Sequence, residues 1–402
     1  MSEQPLYKIF YSDFKNYNSE FHKRFNSNDS IHLDIKIGEN EAFIHPTPEI
    51  YQMIISIERT NNAVNRLYFQ LPEIALHQFT MRCLIDEIVL TNNIEGVHST
   101  RKQISEILYD LSKTNKRKRF AGLVNKYSTL INNEEIMLNK PEDIRKIYDD
   151  IFYEEIMNAD SSDLPDGEIF RKSSVGVFTV TGKEIHKGLT PESEIISVMK
   201  KSLDFLNDEK YDYLLRIAVF HYLFGYIHPF YDGNGRTSRF ISSYLLSQNL
   251  NSLIGYRISF TIKENIKKYY DAFKICNHYN NRGELTYFVE VFLTIVNKSM
   301  IQLKDALNEK LEKLQHYSDL LRELPCAENE NILDLYFVLL QAALFSNIGI
   351  SLQELLQHTN VSYNTIHARL RKIPDDLLLV NKQGRNSYYL LDLHNIDKKF
   401  FH

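Results

Sequence analysis

The sequence predicts a mainly helical protein that carries one short β-hairpin and a small C-terminal winged helix-turn-helix domain. Three observations support this fold class. Apolar residues recur at helical spacing over most of the 402 residues. The pattern becomes strand-like only at 175–189, where a turn joins two runs of alternating residues. Near the C-terminus, two short helical runs precede two strand-like runs, which is the order of a winged helix-turn-helix.

Composition limits the classes of function. The chain is 43% hydrophobic and 25% charged, which is typical of a globular protein, and its length allows two or three domains. The net charge of −5 provides no overall basic field for nucleic acid. Three widely spaced cysteines indicate no zinc site and suit a reducing compartment: Cys83, Cys276 and Cys326. No leader pattern and no apolar run of about 18 residues is present, so we expect a cytoplasmic protein without membrane contact.

The predicted elements follow a simple order after a mixed pattern at 1–45. A helical region begins at about Glu49, after Pro46 and Pro48, and continues to about 132. Further helices are expected at about 141–158, 192–207, 214–227, 237–249, 262–280 and 284–315. The C-terminal unit is expected to contain helices at 352–358 and 363–372 and strands at 377–380 and 387–391.

The loop between the apolar helix at 214–227 and the next helix holds a concentrated set of polar residues. It reads His228-Pro-Phe-Tyr-Asp-Gly-Asn-Gly-Arg-Thr-Ser-Arg239. Glycines before a helix allow successive backbone N–H groups to turn inward, and the helix N-terminus adds partial positive charge. We therefore predict a phosphate nest at Gly233, Asn234 and Gly235.

Charged side chains of this loop complete a phosphoryl- or nucleotidyl-transfer site. Arg236 and Arg239 are three residues apart on one helix face, so each can pair with phosphate oxygens. Asp232 is suited to Mg²⁺, which takes one or two carboxylates together with phosphate oxygens and water. A neutral His228 imidazole accepts a proton from an attacking hydroxyl near pH 7. An Asp-Gly-Asn-Gly sequence alone is a common turn, but the full set within twelve residues favours a site.

A second motif lies upstream at 91–100. Thr91 and Glu95 are spaced i, i+4 and share one helix face. Gly96 is suited to end that helix, and Ser99 or Thr100 is suited to cap the next one. On their own these residues describe an ordinary helix end. The basic run at 113–119 is likewise expected to be a solvated loop or helix end.

The loop resembles the signature of the Fic (filamentation induced by cAMP) family, H-x-F-x-D/E-G-N-G-R-x-x-R, at every fixed position. The segment Gly167-Glu-Ile-Phe-Arg171 and the hairpin at 175–189 resemble the family's lead-in and flap. Residues 269–270 and 283–288 resemble its later helices. The resemblance covers about residues 50–300. It implies a Fic-type helical core with a β-hairpin flap.

The resemblance also implies an activity, the transfer of AMP from ATP to a Tyr, Thr or Ser hydroxyl of a protein. By this similarity His228 is the base, Asp232 holds Mg²⁺ and the nest binds the α-phosphate. Arg236 holds the β-phosphate, Arg239 holds the γ-phosphate and Phe230 is a buried anchor. The flap is expected to dock the target as an added strand through Val177, Thr179, His186, Gly188 and Leu189. Tyr269 and Asn277 are candidates for the adenine pocket, with core packing and a helix surface as the alternatives.

The same resemblance implies a role for the upstream motif. Thr91, Glu95 and Gly96 match the family's inhibitory motif, S/T-x-x-x-E-G/N. The resemblance implies that Glu95 pairs with Arg239 and keeps the γ-phosphate from it, so that ATP binds unproductively. In some relatives the same glutamate positions water for removal of AMP, and this reverse activity stays an open alternative.

The domain organisation follows from these assignments. We expect an N-terminal helical region with the inhibitory motif at 1–115, a Fic catalytic core at 116–300, a linker helix at 301–330 and a winged helix-turn-helix domain at 331–402. We further expect a homodimer, and self-modification is an additional option.

Two other functions compete with AMP transfer. A DNA-binding regulator would read DNA through 351–390, with Arg369, Arg371 and Lys372 on the recognition helix and Lys382 and Arg385 on the wing. Residues 331–402 contain seven Lys/Arg and six Asp/Glu, a balance of +1 that is modest for duplex DNA, so protein contact or dimerisation is the other interpretation. A Fic-fold enzyme could also transfer UMP, phosphocholine or phosphate, although two arginines favour a nucleoside triphosphate.

Overall fold

The structure is a computed structural model that describes residues 3–109, 119–132, 134–178, 184–383 and 386–401. Within these residues the protein is mainly helical, with three small antiparallel sheets. The predicted fold class is confirmed in this respect. No described helix combines the length and the apolar character that are needed to cross a bilayer.

The elements of the first half of the chain are mainly helices. In order they are α1 (Leu6–Ser12), α2 (Phe14–Phe25), β1 (Ile31–Ile37), β2 (Asn40–Ile44), α3 (Pro48–Tyr68), α4 (Glu73–Ile94), α5 (Arg101–Tyr109), α6 (Ala121–Ser128), α7 (Pro141–Ala159), β3 (Gly176–Phe178), β4 (Glu184–Lys187) and α8 (Glu192–Leu206).

The second half begins with the two core helices on either side of the polar loop. The elements are α9 (Tyr213–Ile227), α10 (Asn234–Asn249), α11 (Ile258–Glu264), α12 (Ile266–Cys276), α13 (Thr286–Leu320), α14 (Glu330–Phe345), β5 (Ile350–Ser351), α15 (Leu352–Thr359), α16 (Tyr363–Leu370), β6 (Leu378–Gln383), β7 (Asn386–Leu391) and α17 (Leu393–Phe401).

The chain divides into two compact units. One consists of 1–61 and 85–301, and the other of 62–84 and 302–402. The boundaries fall inside α3, α4 and α13, so no loop marks them. The polar loop and the upstream motif both belong to the first unit.

Helices α9 and α10 carry the core of the first unit. Almost every residue of α9 is buried, as its uninterrupted apolar sequence predicts. Most of α10 is buried as well, including its arginines and serines. Polar groups in such a place need partners inside the protein, because water does not reach them. The loop between the two helices is therefore anchored on buried elements at both ends.

The β1–β2 hairpin lies in the N-terminal region for which the sequence indicated only a mixed pattern. Leu33, Ile35 and Ile37 are buried, whereas the residues between them face outward. This alternation is the signature of a half-buried strand, and Gly38 provides the turn with φ +60°. Shortly before the hairpin, the buried Arg24 pairs with Glu284 at 3.0 Å.

The predicted flap hairpin is present as β3 and β4. Val177 pairs with His186 and Gly176 with Lys187 in an antiparallel register. The turn at 179–183, which includes Thr179, lies outside the described residues.

The second unit contains the predicted helix, turn, helix and hairpin order as α15, α16, β6 and β7. Ser351 accepts a hydrogen bond from the Glu354 N–H at 3.2 Å, which caps α15 as expected. The hairpin gains a third strand, because β5 pairs with β7. The assignment of this unit as a winged helix-turn-helix domain stays a prediction, and Arg385 lies outside the described residues.

Glu192 fixes the lead-in to the flap. Its carboxylate accepts hydrogen bonds from the backbone N–H groups of Glu168 at 3.1 Å, Ile169 at 2.8 Å and Phe170 at 2.9 Å. Burial alone would raise the pKa of Glu192, but these bonds outweigh it and leave the pKa below its usual range. A group with a lowered pKa stabilises the fold above its unfolded pKa, and this contribution is lost as the pH falls below that value.

We expect Glu192→Gln to lower the free energy of unfolding by about 2 kcal/mol at pH 7, because three backbone donors lose a charged acceptor. The difference should shrink as the pH falls below the ordinary glutamate pKa of about 4.3, and it should be lost only once the folded carboxylate is itself protonated. Urea denaturation at several pH values measures both effects. The control is Glu194→Gln on the exposed side of α8, for which we expect a change below about 0.5 kcal/mol. Equal changes in the two variants would contradict the role of Glu192.

Candidate active site

The centre of the polar loop is anchored by Phe230 and Asn234. The Phe230 ring is fully buried and stacks on Tyr148, with ring centroids 3.7 Å apart. The Asn234 side chain accepts from the Phe230 N–H at 3.0 Å and donates to the Phe230 carbonyl at 2.8 Å. Both ends of this amide therefore hold the loop.

His228 lies at the end of α9 in a left-handed conformation, with φ 51° and ψ 63°. This region is unfavourable for a side chain larger than glycine, so neighbouring contacts must stabilise it. Burial, followed by the nearby His186 imidazole and the Arg171 guanidinium, lowers the pKa of His228 to about 3. The imidazole is therefore neutral near pH 7 and has a nitrogen lone pair with which to accept a proton.

The first turn of α10 is the place of the predicted anion nest. Gly233 has φ +79° and precedes the helix, and the first helical bond runs from the Thr237 N–H to the Gly233 carbonyl at 2.9 Å. The three N–H groups before Thr237 therefore lie outside the helical ladder. The Glu95 carboxylate lies beside this turn, since a Cβ atom added to Gly235 would lie 2.1 Å from Oε1 of Glu95.

Arg239 holds that carboxylate. The Arg239 side chain is buried, and its Nη2 lies 2.7 Å from Oε1 of Glu95. Its Nε donates to the Thr91 hydroxyl at 2.8 Å, and Nη2 also donates to the Thr91 carbonyl at 3.0 Å. Burial alone would lower the pKa of Arg239, but the Glu95 charge and its other neighbours raise it. The upstream motif and the loop are therefore joined by one buried guanidinium.

Arg236 faces a different set of carboxylates. Its Nη1 lies 3.2 Å from Glu155, and its Nη2 lies 3.1 Å from Asp232. The guanidinium also stacks over the Phe152 ring at 4.4 Å. Its buried Nε has no hydrogen-bond partner among the described residues. An unpaired donor on a buried cation is a group that an anionic ligand would satisfy.

The residues around Asp232 fit a magnesium ion that is shared with a bound phosphate. Its side chain is 58% exposed, so the carboxylate is open to a ligand. It lines a cleft of about 330 Å³ together with Asp160 and Asp163. Burial and the carboxylates of Asp160 and Asp232 raise the pKa of Asp163, so the three acids lie close together. No group of three or more His, Cys, Asp or Glu in the described chain is arranged to hold a metal alone.

Comparison with known proteins identifies the family of this site. The Fic/DOC family model matches residues 138–246, which contain α7, the flap and the complete polar loop. Curated relatives named protein adenylyltransferase Fic, from Drosophila willistoni and Drosophila melanogaster, are each 30% identical over 138 residues. These residues are 34% of this chain. Residues 138–246 match a Fic/DOC family domain. The chain spans only 24% and 25% of the length of these two relatives.

The Fic fold is also supported by a solved structure. A Fic family protein from Desulfovibrio desulfuricans G20 aligns with a TM-score of 0.50 and 19% identity. The alignment covers 86% of this chain and 96% of that chain. At this identity the likeness concerns the fold alone.

The two candidates for the adenine pocket of the Fic core make internal contacts. The Tyr269 hydroxyl is 2.7 Å from Nε2 of the buried His221. Tyr269 also interacts electrostatically with the Arg239 guanidinium. Asn277 instead accepts a hydrogen bond from the Tyr222 hydroxyl at 2.6 Å. Tyr269 is thus brought to the Arg239 cluster, whereas Asn277 is held to α9. Their role in binding adenine stays a prediction.

Two described parts of the flap contact the end of α9 and the start of the polar loop. The His186 ring lies 2.6 Å from the Tyr226 carbonyl and stacks on the Tyr226 ring. The Leu189 N–H donates to the Ile227 carbonyl at 3.1 Å. A Cβ atom on Gly188 would lie 3.0 Å from Cβ of His228. The end of the flap therefore lies directly against the histidine.

Sequence reasoning missed three residues that shape this Fic site. Glu155 pairs with Arg236 but lies 81 positions away in the sequence, so no local sequence pattern indicates this pair. Arg171 appeared only as part of a lead-in motif, although it contacts the backbone of His228. Glu87 could have been found, because it continues the i, i+4 stripe of Thr91 and Glu95.

We expect Thr91→Val to lower the free energy of unfolding by about 1.5–3 kcal/mol, since the buried Nε of Arg239 would lose its acceptor. Valine has the same shape as threonine, so packing is preserved. Thr91→Ser keeps the hydroxyl and is the matched control, with an expected loss of about 1 kcal/mol for the missing methyl group. Chemical denaturation compares the two variants. A larger loss in the serine variant would argue against the hydrogen bond.

Proposed function

We propose that this protein transfers AMP from ATP to a hydroxyl side chain of a target protein and that Glu95 restrains the reaction. The observation that carries the proposal is the position of the Glu95 carboxylate, which lies beside Gly235 at the start of α10 and pairs with Arg239 at 2.7 Å. A site that binds a carboxylate of its own chain with a buried guanidinium at a helix N-terminus has the chemistry to bind phosphates there.

In the proposed reaction the target hydroxyl attacks the α-phosphorus of ATP. A bond forms between the hydroxyl oxygen and that phosphorus, and the bond to the oxygen that bridges the α- and β-phosphates breaks. The hydroxyl proton passes to the neutral His228 imidazole, and pyrophosphate leaves. The N–H groups of the nest stabilise the charge on the α-phosphate oxygens.

The remaining loop residues bind and orient the leaving phosphates. Arg236 has an unpaired buried Nε and would hold the β-phosphate, while Arg239 would hold the γ-phosphate. Asp232 would hold Mg²⁺ together with phosphate oxygens. The ion would supply charge neutralisation on the phosphates when bound.

Restraint follows from competition for Arg239. The guanidinium already has Thr91 and Glu95 as partners, so the γ-phosphate must displace Glu95 to bind in the same place. When two anions compete for one cation, the binding of each weakens the binding of the other, and the size of this effect is a coupling free energy. ATP would then bind with its γ-phosphate elsewhere and its α-phosphorus misaligned.

Several finer predictions remain proposals beside this one. They are removal of AMP with the help of Glu95, transfer of another phosphate-containing group, self-modification, homodimer formation and DNA contact through 351–390. The described residues favour none of them over AMP transfer.

We expect Glu95→Gln to raise the incorporation of labelled AMP from ATP about 5- to 150-fold over wild type, the range of a typical coupling free energy. Glutamine keeps the size of the side chain but loses the charge that pairs with Arg239. Incorporation into the protein itself and into lysate proteins measures the effect. The control is Glu106→Gln on the exposed face of α5, which should label like wild type.

The double variant Glu95→Gln, His228→Ala should lose the labelling, because no base remains. Persistent labelling would remove His228 from its proposed role. Equal labelling by wild type and by Glu95→Gln would remove the restraint.

The pH dependence of the released variant provides a separate test. With a pKa of about 3, His228 stays neutral from pH 8 down to about pH 5. We therefore expect kcat/KM of Glu95→Gln to show no acid limb near pH 6.5, the value of an ordinary histidine. A rate that halves near pH 6.5 and disappears below it would show that the base is protonated in the folded protein.

A further inference from the structure

Among the described residues, the buried cation of Arg171 donates hydrogen bonds only to backbone carbonyls. Nε donates to the His228 carbonyl at 2.9 Å, and Nη1 donates to Ser173 at 2.6 Å. Nη2 donates to Leu189 at 2.9 Å and to Ile227 at 3.5 Å. In the ranges that the structure describes, no carboxylate pairs with it, and burial lowers its pKa. Burying a charge without an opposite charge beside it costs free energy of folding, so we expect an arginine in this place to have a specific role.

The four carbonyls belong to three separate segments. His228 and Ile227 end α9, Leu189 ends the flap, and Ser173 follows the lead-in held by Glu192. One rigid guanidinium therefore joins the histidine backbone to the docking hairpin. The bond to the His228 carbonyl also supports the left-handed φ of 51°, which is unfavourable on its own.

Gly188 shows how close this contact is. A Cβ atom on Gly188 would lie 2.4 Å from Nη2 of Arg171 and 3.0 Å from Cβ of His228. Only a residue without a side chain allows the flap to approach both groups. The flap end, the guanidinium and the histidine therefore pack as one unit.

We propose that Arg171 is the positioning residue of the transfer reaction, which fixes the backbone of His228 and the end of the target-docking flap to each other. This inference rests on the proposed function, since it gives the base and the docking strand one shared support. The guanidinium does not touch substrate. It keeps a hydroxyl that is presented by the flap in register with the imidazole that takes its proton.

The charge of Arg171 has a second effect on the same histidine. The groups that act on the His228 charge are the His186 ring on β4 and the Arg171 guanidinium, and both disfavour the protonated imidazole. In the part of the chain that the structure describes, no carboxylate acts on His228, and a hydrogen bond to the Gly225 backbone opposes the lowering of its pKa. Arg171 thus favours both the position and the neutral form of the base.

Arg171→Met removes the donors and the charge but keeps most of the length of the side chain. Hydrogen exchange with the full chain is measured first, at the Leu189 amide that bonds to Ile227. We expect about tenfold faster exchange at this amide in Arg171→Met. The histidine ring resonance of His228 at pH 7, assigned with His228→Gln, should shift as well. Neither readout requires activity, so failure of this inference is distinguishable from failure of the proposed function.

The matched control is Arg145→Met. Arg145 donates to the Ile169 carbonyl of the same lead-in at 2.8 Å, but it also pairs with Asp149 and has no contact with His228. Gly188→Ala is the second variant, because it displaces Nη2 and should reproduce both changes if Arg171→Met fails to fold. Unchanged exchange and an unchanged His228 resonance in either folded variant would overturn the proposal. Equal effects of Arg145→Met would overturn it too.

Discussion

The burial of the Arg239 guanidinium is the constraint on which the site depends. A cation without water must find its partners inside the protein. Here they are the hydroxyl and carbonyl of Thr91 and the carboxylate of Glu95, all at the end of α4. The charge also acts on its other neighbours. It helps to lower the pKa of His221 to about 3 and opposes the burial that raises the pKa of Glu87 to about 7.

The two ends of the polar loop are held in different ways. At the first end, His228 is fixed through its backbone by Arg171 and by the turn of α9. These contacts do not involve Glu95. At the other end, the charge of Arg239 is paired with a carboxylate that comes from the end of α4. His228 is therefore held whether or not Glu95 is in place, and under the proposed function regulation would concern the arginine alone. Such a separation would let a transferase site be complete and restrained at once.

Much of this site could be predicted from the sequence, because its central residues are neighbours in the chain. The nest, both arginines and His228 lie within twelve positions, and the spacing of Thr91 and Glu95 places them on one face of a helix. The pairing of Arg236 with Glu155 and the four carbonyls around Arg171 could not be predicted, since they depend on how distant segments pack. The β1–β2 hairpin is a different case. Its alternation at 31–37 was readable, and it was missed within a mixed pattern.

Competition between Glu95 and the terminal phosphate for Arg239 is the central claim. Calorimetry with wild type and Glu95→Gln, using ATP and ADP in the presence of Mg²⁺, tests it most directly. Only ATP has the γ-phosphate, so the account predicts that Glu95→Gln binds ATP about tenfold more tightly than wild type while the affinity for ADP stays the same. An equal gain for both nucleotides, or no gain for ATP, would contradict the account.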